Sequence, residues 1–218
     1  FCERCRITLL EKGVSFEEIM VDIRSKPAWF LDLSPHGKVP VLKHDDAVVF
    51  DSAVINEYLD ETFPEMPLMP STPDERAKVR FWIGFANTEL HQSYMNILRA
   101  PPESFVAAVA RFEANLTTLD QALKHSTKLD PYFNGVQFTL ADITYATIFD
   151  RFSVFPKLRN YDLPGELRGV RSWMETLASR PSVATTLPSL QDNLENCRRY
   201  LPESLRNEQS KPTTYTGR

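Results

Sequence analysis

The sequence has 218 residues, a formal net charge of −4 and 42% hydrophobic residues. This apolar fraction excludes a wholly disordered chain, and no apolar run approaches the roughly 20 residues that span a bilayer. The mild negative charge argues against a general nucleic-acid binder, and three cysteines are too few for a disulfide scaffold. We therefore expect one large domain or two small ones, with neither a membrane nor a nucleic acid as partner.

The first part of the chain predicts alternating helices and strands. Gly13 is a typical helix stop, and the residues between 43 and 47 have the composition of a hairpin turn. In chain order we predict a helix over residues 4–13, a strand over 16–21, a turn or short helix over 26–33, paired strands over 39–43 and 47–50, and a helix over 52–63. This order predicts a small α/β domain over residues 1–63.

The remainder of the chain predicts helices alone. Four prolines interrupt residues 64–73, which we interpret as a linker between two domains. Apolar residues then recur three or four apart, which predicts an all-helical domain over residues 74–204. Its helices are expected over 73–98, 103–125, from 139 onward and over 167–178. Residues 205–218 are polar, and we predict a disordered tail there.

Cys2 and Cys5 form a C-x-x-C pair at the start of the first predicted helix. Unpaired backbone N–H groups and the helix dipole stabilise a thiolate at such a position, so the pair indicates thiol–disulfide chemistry. The same spacing serves zinc sites, but these need two further ligands and the histidines show no suitable pairing, so we expect no metal. The alternative is that both cysteines simply pack on an apolar helix face.

Val39-Pro40 lies at the start of a predicted strand, where proline removes a hydrogen-bond donor. A cis bond here would turn the backbone of Val39 outward, where it could pair with an extended peptide ligand. The alternative is a trans proline at the strand start, which the residues alone favour.

Asp51-Ser52 lies where the last predicted strand gives way to a helix. Ser52 is suited to cap that helix, or to donate to a ligand carboxylate at the helix N-terminus. Asp51 is suited to pair with an ammonium group. Simple helix capping is the alternative for both residues.

Taken together, these motifs resemble the cytosolic glutathione transferases over about residues 1–185. The matching segments are residues 1–7 (FCERCRI), 26–30 (KPAWF), 37–42 (GKVPVL), 51–61 (DSAVINEYLDE) and 139–142 (TLAD). The second of these is similar to the omega class and to related cysteine-type bacterial members. The resemblance implies a thioredoxin-like α/β domain, here lacking its first strand, followed by an all-α domain. In the last segment Thr139 and Asp142 would form a structural capping box.

The resemblance also implies a glutathione site. The backbone of Val39, before a cis Pro40, would hold the cysteinyl part of glutathione. Asp51 and Ser52 would bind its γ-glutamyl end, although members of the family often have Glu in place of Asp51. Lys26 would approach the glycyl carboxylate, which suits a long cationic side chain.

The amino end departs from the family pattern. Cysteine-type members carry Cys-Pro-Phe-x-x-Arg, and aligning that Phe with Phe1 places the reactive residue upstream. We therefore expect roughly ten to twenty preceding residues, including a strand, in the natural protein. Within this sequence Cys2 is the best catalytic candidate. An upstream Cys would support thiol transfer or dehydroascorbate-type reduction, and an upstream Ser would support conjugation.

The leading hypothesis is a cytoplasmic, homodimeric glutathione transferase that uses glutathione as co-substrate. Its second substrate would be a small electrophile or a disulfide. One alternative is a non-catalytic adaptor, because residues 57–70 also resemble bacterial stringent-starvation proteins, which bind RNA polymerase. A third hypothesis is a plain thioredoxin-like oxidoreductase that uses Cys2 and Cys5, against which the helical half argues.

Overall fold

The N-terminal elements follow the predicted order closely. The computed structural model describes residues 1–123 and 131–209. Its first elements are α1 (Cys2–Lys12), α2 (Ala28–Leu33), β1 (Val41–His44), β2 (Ala47–Phe50) and α3 (Ser52–Thr62). α1 ends as predicted, because Gly13 adopts a left-handed φ of +63° and donates its N–H to the Leu10 carbonyl oxygen at 3.1 Å.

The predicted hairpin is confirmed. β1 and β2 are antiparallel, with Val41 opposite Phe50 and His44 opposite Ala47. The two-residue turn between them places Asp45 at a φ of +52°, a conformation that Asp tolerates better than most residues. β1 begins at Val41 rather than at residue 39.

The strand predicted over residues 16–21 is wrong. The described sheet has two strands only, β1 and β2, and residues 14–22 have no regular secondary structure. A strand needs a neighbour to satisfy its backbone hydrogen bonds, and no described strand pairs with this segment. Apolar side chains of this segment are therefore exposed to solvent, Ile19 to 62% and Met20 to 81%.

All later described elements are helical. α4 (Pro73–Phe85), a π-helical turn (Ala86–Leu90) and α5 (His91–Arg99) follow one another directly, as the long helix predicted over residues 73–98 requires. The others are α6 (Pro102–Ala122), α7 (Leu140–Phe152), α8 (Phe155–Arg159), α9 (Arg168–Ser179), α10 (Pro181–Ala184), α11 (Leu190–Arg198) and α12 (Glu203–Gln209). Among the described helices, none is long and apolar enough to cross a membrane.

Two predicted segments reach beyond the described residues. Residues 124 and 125, the end of the helix predicted over 103–125, lie outside them. The predicted tail is helical as far as Gln209, because the N–H groups of Leu205 and Arg206 donate to the Pro202 carbonyl oxygen and open α12. Residues 210–218 lie outside the described residues.

The described residues group into two compact units, each drawn from three parts of the chain. One comprises residues 1–84, 131–147 and 173–187. The other comprises residues 85–123, 148–172 and 188–209, and aromatic side chains fill its core. In that core Phe112 lies edge-to-face against Phe152 and Phe155, at centroid distances of 5.0 and 5.5 Å.

A buried ion pair in the first unit joins α1 to the chain beyond α3. Lys12 Nζ contacts the Asp60 carboxylate, and these side chains are 0% and 7% exposed. Hydrogen bonds also join the pair to the following backbone. Nζ donates to the carbonyl oxygens of Phe63 (2.8 Å) and Met66 (2.6 Å), and the carboxylate accepts from the N–H groups of Leu68 (2.7 Å) and Met69 (3.0 Å). The segment predicted as a linker is therefore held firmly to α1 and α3.

A second long-range contact of this unit involves Arg180. Its Nε and Nη2 donate to the two carboxylate oxygens of Glu11 at 2.7 and 2.6 Å. The guanidinium also lies over the Phe138 ring, 3.8 Å from its centroid. Burial alone would raise the pKa of Glu11, but hydrogen bonds from Arg180 and Ser182 lower it below its ordinary value. Glu11 and Arg180 lie 169 positions apart in the sequence.

The N-terminus of α7 is organised around Asp142, a fully buried carboxylate. It accepts hydrogen bonds from the backbone N–H and the hydroxyl of Thr139, both at 2.8 Å. The Phe133 N–H and the Trp173 indole N–H also donate to it, both at 2.9 Å. The predicted capping box is therefore half formed, because the Thr139 hydroxyl donates to the carboxylate and does not cap the Asp142 N–H.

Candidate functional site

A buried serine braces the turn before β1. The Ser34 side chain accepts the Lys38 N–H and donates to the Lys38 carbonyl oxygen, both at 3.2 Å. Between them Gly37 adopts a φ of +57°, which glycine reaches without strain. The Val39–Pro40 bond that follows is cis, so the trans alternative is wrong. No described group hydrogen-bonds to the N–H or carbonyl of Val39.

Lys26 lies beside this turn. A Cβ atom added to Gly37 would lie 3.3 Å from Lys26 Nζ, so the ammonium sits directly over the glycine. Lys26 is exposed and makes no ion pair with a described residue. Its charge therefore faces solvent next to the turn that ends at Val39.

The two cysteines of α1 lie at its start. Cys2 is the first helical residue and is half-buried, whereas Cys5 is 8% exposed. Burial raises the pKa of the Cys2 thiol above its ordinary value and raises that of Cys5 to about 12. Burial of Cys2 therefore opposes the stabilisation of its thiolate that is predicted from the helix N-terminus.

Asp51 and Ser52 lie at the start of α3. The Asp51 side chain accepts the Ala53 N–H at 2.8 Å, so Asp51 is the N-cap and the capping role predicted for Ser52 is wrong. Asp51 also has a φ of +68°, an uncommon and costly conformation for a residue with a Cβ atom. Ser52 is buried, and no described residue hydrogen-bonds to its hydroxyl. The structure thus leaves that hydroxyl free at a helix N-terminus.

A cavity of about 510 Å³ brings part of the predicted site together. Cys2, Val39 and Pro40 line it, together with Cys5. The rest of its wall is largely apolar and belongs to α1, α2, β1, α3 and residues 14–21. The other predicted residues, Lys26, Asp51 and Ser52, do not line it. The predicted site therefore falls into two groups, one inside the cavity and one outside it.

Over residues 1–123 and 131–206, no cluster of three or more His, Cys, Asp or Glu side chains is arranged to hold a metal ion. Of the charged residues that line the cavity with Cys2, Arg6 and Glu18 form an ion pair.

Comparisons with known proteins establish the family of the chain. The family model "Glutathione S-transferase, N-terminal domain" matches residues 1–62, and the model for the C-terminal domain matches residues 75–176. Glutathione S-transferase U19 of Arabidopsis thaliana is 33% identical over 86% of this chain and 85% of its own length. The chain belongs to the glutathione S-transferase family.

Further relatives of this glutathione S-transferase support the same family assignment. Glutathione S-transferase DHAR3, chloroplastic, of Arabidopsis thaliana is 32% identical over 88% of the chain and 70% of its own length. The crystal structure of glutathione transferase Omega 3C from Trametes versicolor has a TM-score of 0.79 and 28% identity, covering 86% of this chain and 84% of that chain. These findings confirm the predicted fold and an enzyme of this family, and they do not favour the adaptor hypothesis.

Two residues of this glutathione S-transferase, Ser34 and His44, were not predicted from the sequence to belong to the site. The Ser34-Pro35 dipeptide is a turn signal that could have indicated the first. His44 lines the cavity, and its Nδ1 lies 2.9 Å from the Tyr58 hydroxyl. Nothing in the sequence spacing of His44 and Tyr58 indicates the contact between them.

Substitution S34A tests the brace beneath the turn. Removing the hydroxyl leaves the part-buried N–H and carbonyl of Lys38 without their partner, so the free energy of unfolding should fall by roughly 1–2 kcal/mol. Urea denaturation followed by circular dichroism measures the loss. The exposed Ser71 supplies the control, since S71A should leave the midpoint unchanged. Equal midpoints for the two variants would contradict the bracing role.

Proposed function

We propose that this glutathione S-transferase binds glutathione across the turn that ends at Val39 and the N-terminus of α3, and that it carries out thiol transfer at Cys2. The observation that carries the proposal is the unpartnered backbone of Val39, which lines the same cavity as the Cys2 thiol. A free N–H and carbonyl pair is what an extended peptide needs for backbone recognition. Glutathione is such a peptide, and its own thiol would lie next to Cys2.

The γ-glutamyl end of glutathione carries a carboxylate and an ammonium group. The free Ser52 hydroxyl and the N–H groups of α3 are suited to the carboxylate, because a helix N-terminus attracts negative charge. Asp51 uses one carboxylate oxygen for the Ala53 N–H, which leaves the second for the ammonium. The unusual backbone of Asp51 supports a functional role at this position.

The glycyl end carries the second carboxylate. Lys26 is suited to bind it, since the ammonium is exposed and lies over Gly37, two residues before Val39. A flexible cation of this kind provides charge without fixed geometry, which fits an anion at the edge of a site.

The reaction we propose begins with attack of the Cys2 thiolate on a disulfide that contains a glutathionyl group. It forms a mixed disulfide on Cys2 and releases the second thiol, and free glutathione then regenerates Cys2. The second substrate is therefore a disulfide. We also propose that the protein is a homodimer and is cytoplasmic. Its family membership supports both properties.

Conjugation of glutathione to a small electrophile is a second candidate function. The raised pKa of Cys2 favours it, since a protonated thiol is a poor nucleophile but can donate a hydrogen bond to the glutathione thiolate. Substitution C2S separates the two functions, because a serine hydroxyl retains that hydrogen bond and cannot form a mixed disulfide.

Retention on immobilised glutathione tests the binding site. Substitutions S52A and K26A each remove a hydrogen bond to a charged group, so the dissociation constant for glutathione should rise roughly tenfold to hundredfold. Isothermal titration gives the constants directly. Lys78 is an exposed lysine on α4, and K78A is the matched control for loss of charge. Binding that is absent in the wild type, or that neither site substitution weakens, would refute the proposed site.

A further inference from the structure

Cys2 and Cys5 are the first and fourth residues of α1, both carry free thiols and both line the same cavity. We propose that Cys5 is a resolving thiol, which displaces a glutathionyl group from Cys2 and closes a reversible Cys2–Cys5 disulfide. The inference rests on the proposed function, because glutathione supplies the group displaced. It makes the enzyme a two-cysteine catalyst.

Helix geometry brings the two thiols within reach. Residues three apart on a helix have Cβ atoms about 5–6 Å apart, whereas a disulfide needs about 3.5–4.5 Å. The first turn must therefore tighten by roughly 1–2 Å. An i to i+3 hydrogen bond already occurs one residue earlier, from the Arg4 N–H to the Phe1 carbonyl oxygen at 3.1 Å. The same type of bond from the Cys5 N–H to the Cys2 carbonyl oxygen would bring the two cysteine side chains nearly into eclipse.

Cys2 and Cys5 lie at the start of α1, which lowers the free-energy cost of tightening the turn between them. The first N–H groups of a helix have no partner one full turn earlier, so a local change there breaks few hydrogen bonds. The same movement at the middle of α1 would disrupt the helix on both sides. The Cys2–Cys5 pair thus occupies the part of α1 that tolerates closure.

Exposure sets the order of reaction. Cys2 is half-buried and solvent species reach it, whereas Cys5 is 8% exposed and faces the cavity. Burial also raises the pKa of Cys5 to about 12, so this thiol is protonated at rest and unreactive toward solutes. A protonated thiol is a weak nucleophile, but once Cys2 carries a glutathionyl group the adjacent Cys5 attacks within the molecule, and this proximity compensates for its low reactivity.

The steps balance with glutathione disulfide as the oxidant. The Cys2 thiol attacks glutathione disulfide, forming Cys2–S–S–glutathionyl and releasing one glutathione. Cys5 then attacks the Cys2 sulfur, the mixed disulfide breaks, and the departing glutathione takes the Cys5 proton. Two glutathione molecules reverse both steps and leave as glutathione disulfide. Two electrons pass in each direction.

Mass spectrometry after acid quenching and alkylation tests the inference. The full-length protein is incubated with glutathione disulfide, and the peptide that contains Cys2 and Cys5 is examined. The wild type should yield the internal disulfide, whereas C5S should lose it and accumulate the glutathionyl adduct on Cys2. Cys197 is buried with its sulfur 3.1 Å from the Tyr94 hydroxyl, so C197S is the control and should behave as the wild type.

Two outcomes would overturn the inference. One is a wild type that accumulates the Cys2 adduct as fully as C5S, and the other is a disulfide from Cys2 to any cysteine besides Cys5. If either occurs while immobilised glutathione still retains the protein, the proposed function stands and the resolving role alone fails.

A second experiment uses oxidised dithiothreitol as the oxidant in place of glutathione disulfide. An internal disulfide formed there, with no reaction toward glutathione disulfide, supports the cysteine pair and refutes the glutathione site.

Discussion

Substitution K12M should lower the free energy of unfolding by about 3–5 kcal/mol, which is the usual cost of breaking a buried ion pair from one side. The Asp60 carboxylate, 7% exposed, would lose its cationic partner in a buried environment. The carbonyl oxygens of Phe63 and Met66 would also lose their donor. Methionine has nearly the length of lysine, so the loss reflects charge and hydrogen bonding and not a cavity.

Urea denaturation measures this loss, and an exposed lysine provides the control. K78M should leave the midpoint within about 0.5 kcal/mol of the wild type, as surface substitutions generally do. The double variant K12M/D60N should lose less than the sum of its two single variants, because the partners act together. A K12M protein as stable as K78M would show that the pair contributes nothing.

Substitution D142A should be similarly costly, at about 3–5 kcal/mol. It removes a carboxylate that accepts four hydrogen bonds from described residues, so the buried Thr139 N–H and the part-buried Phe133 N–H would lose this acceptor. Each unsatisfied buried donor costs about 1–3 kcal/mol. The Trp173 indole N–H would lose its partner as well, which links α7 to α9.

Asparagine at position 142 separates shape from hydrogen bonding. D142N keeps the volume, but one side-chain oxygen becomes an NH₂ group that faces donors. We therefore expect D142N to lose about half as much as D142A in the same denaturation experiment, or roughly 1.5–2.5 kcal/mol. Asp162 is exposed, and D162A controls for loss of a surface carboxylate. A D142N protein with wild-type stability would contradict the network.

Local signals in the sequence predicted much of the fold and part of the candidate site. Gly13 ends α1, the turn at Asp45 forms the hairpin, and the resemblance indicated the cis Val39–Pro40 bond. Each of these features depends on residues close together in sequence. Membership of the glutathione S-transferase family likewise followed from short motifs in family order.

Features that depend on distant partners could not be predicted. The composition of residues 16–21 indicated a strand, but pairing requires a neighbour that no local pattern specifies. Lys12 and Asp60 lie 48 positions apart, and neither carries a motif. The raised pKa of Cys2 follows from burial, which a helix N-terminus in the sequence does not reveal.

The contact between Glu11 and Arg180 has a consequence for synthesis of the protein. Helix α1 is made early, yet its partner lies 169 positions later in the chain. On the ribosome, the unit that contains α1 cannot complete its packing until residues 173–187 emerge. The unit that contains α1 therefore stays incomplete until this late segment is made, and a nascent chain that pauses before Arg180 exposes an unfinished surface to chaperones.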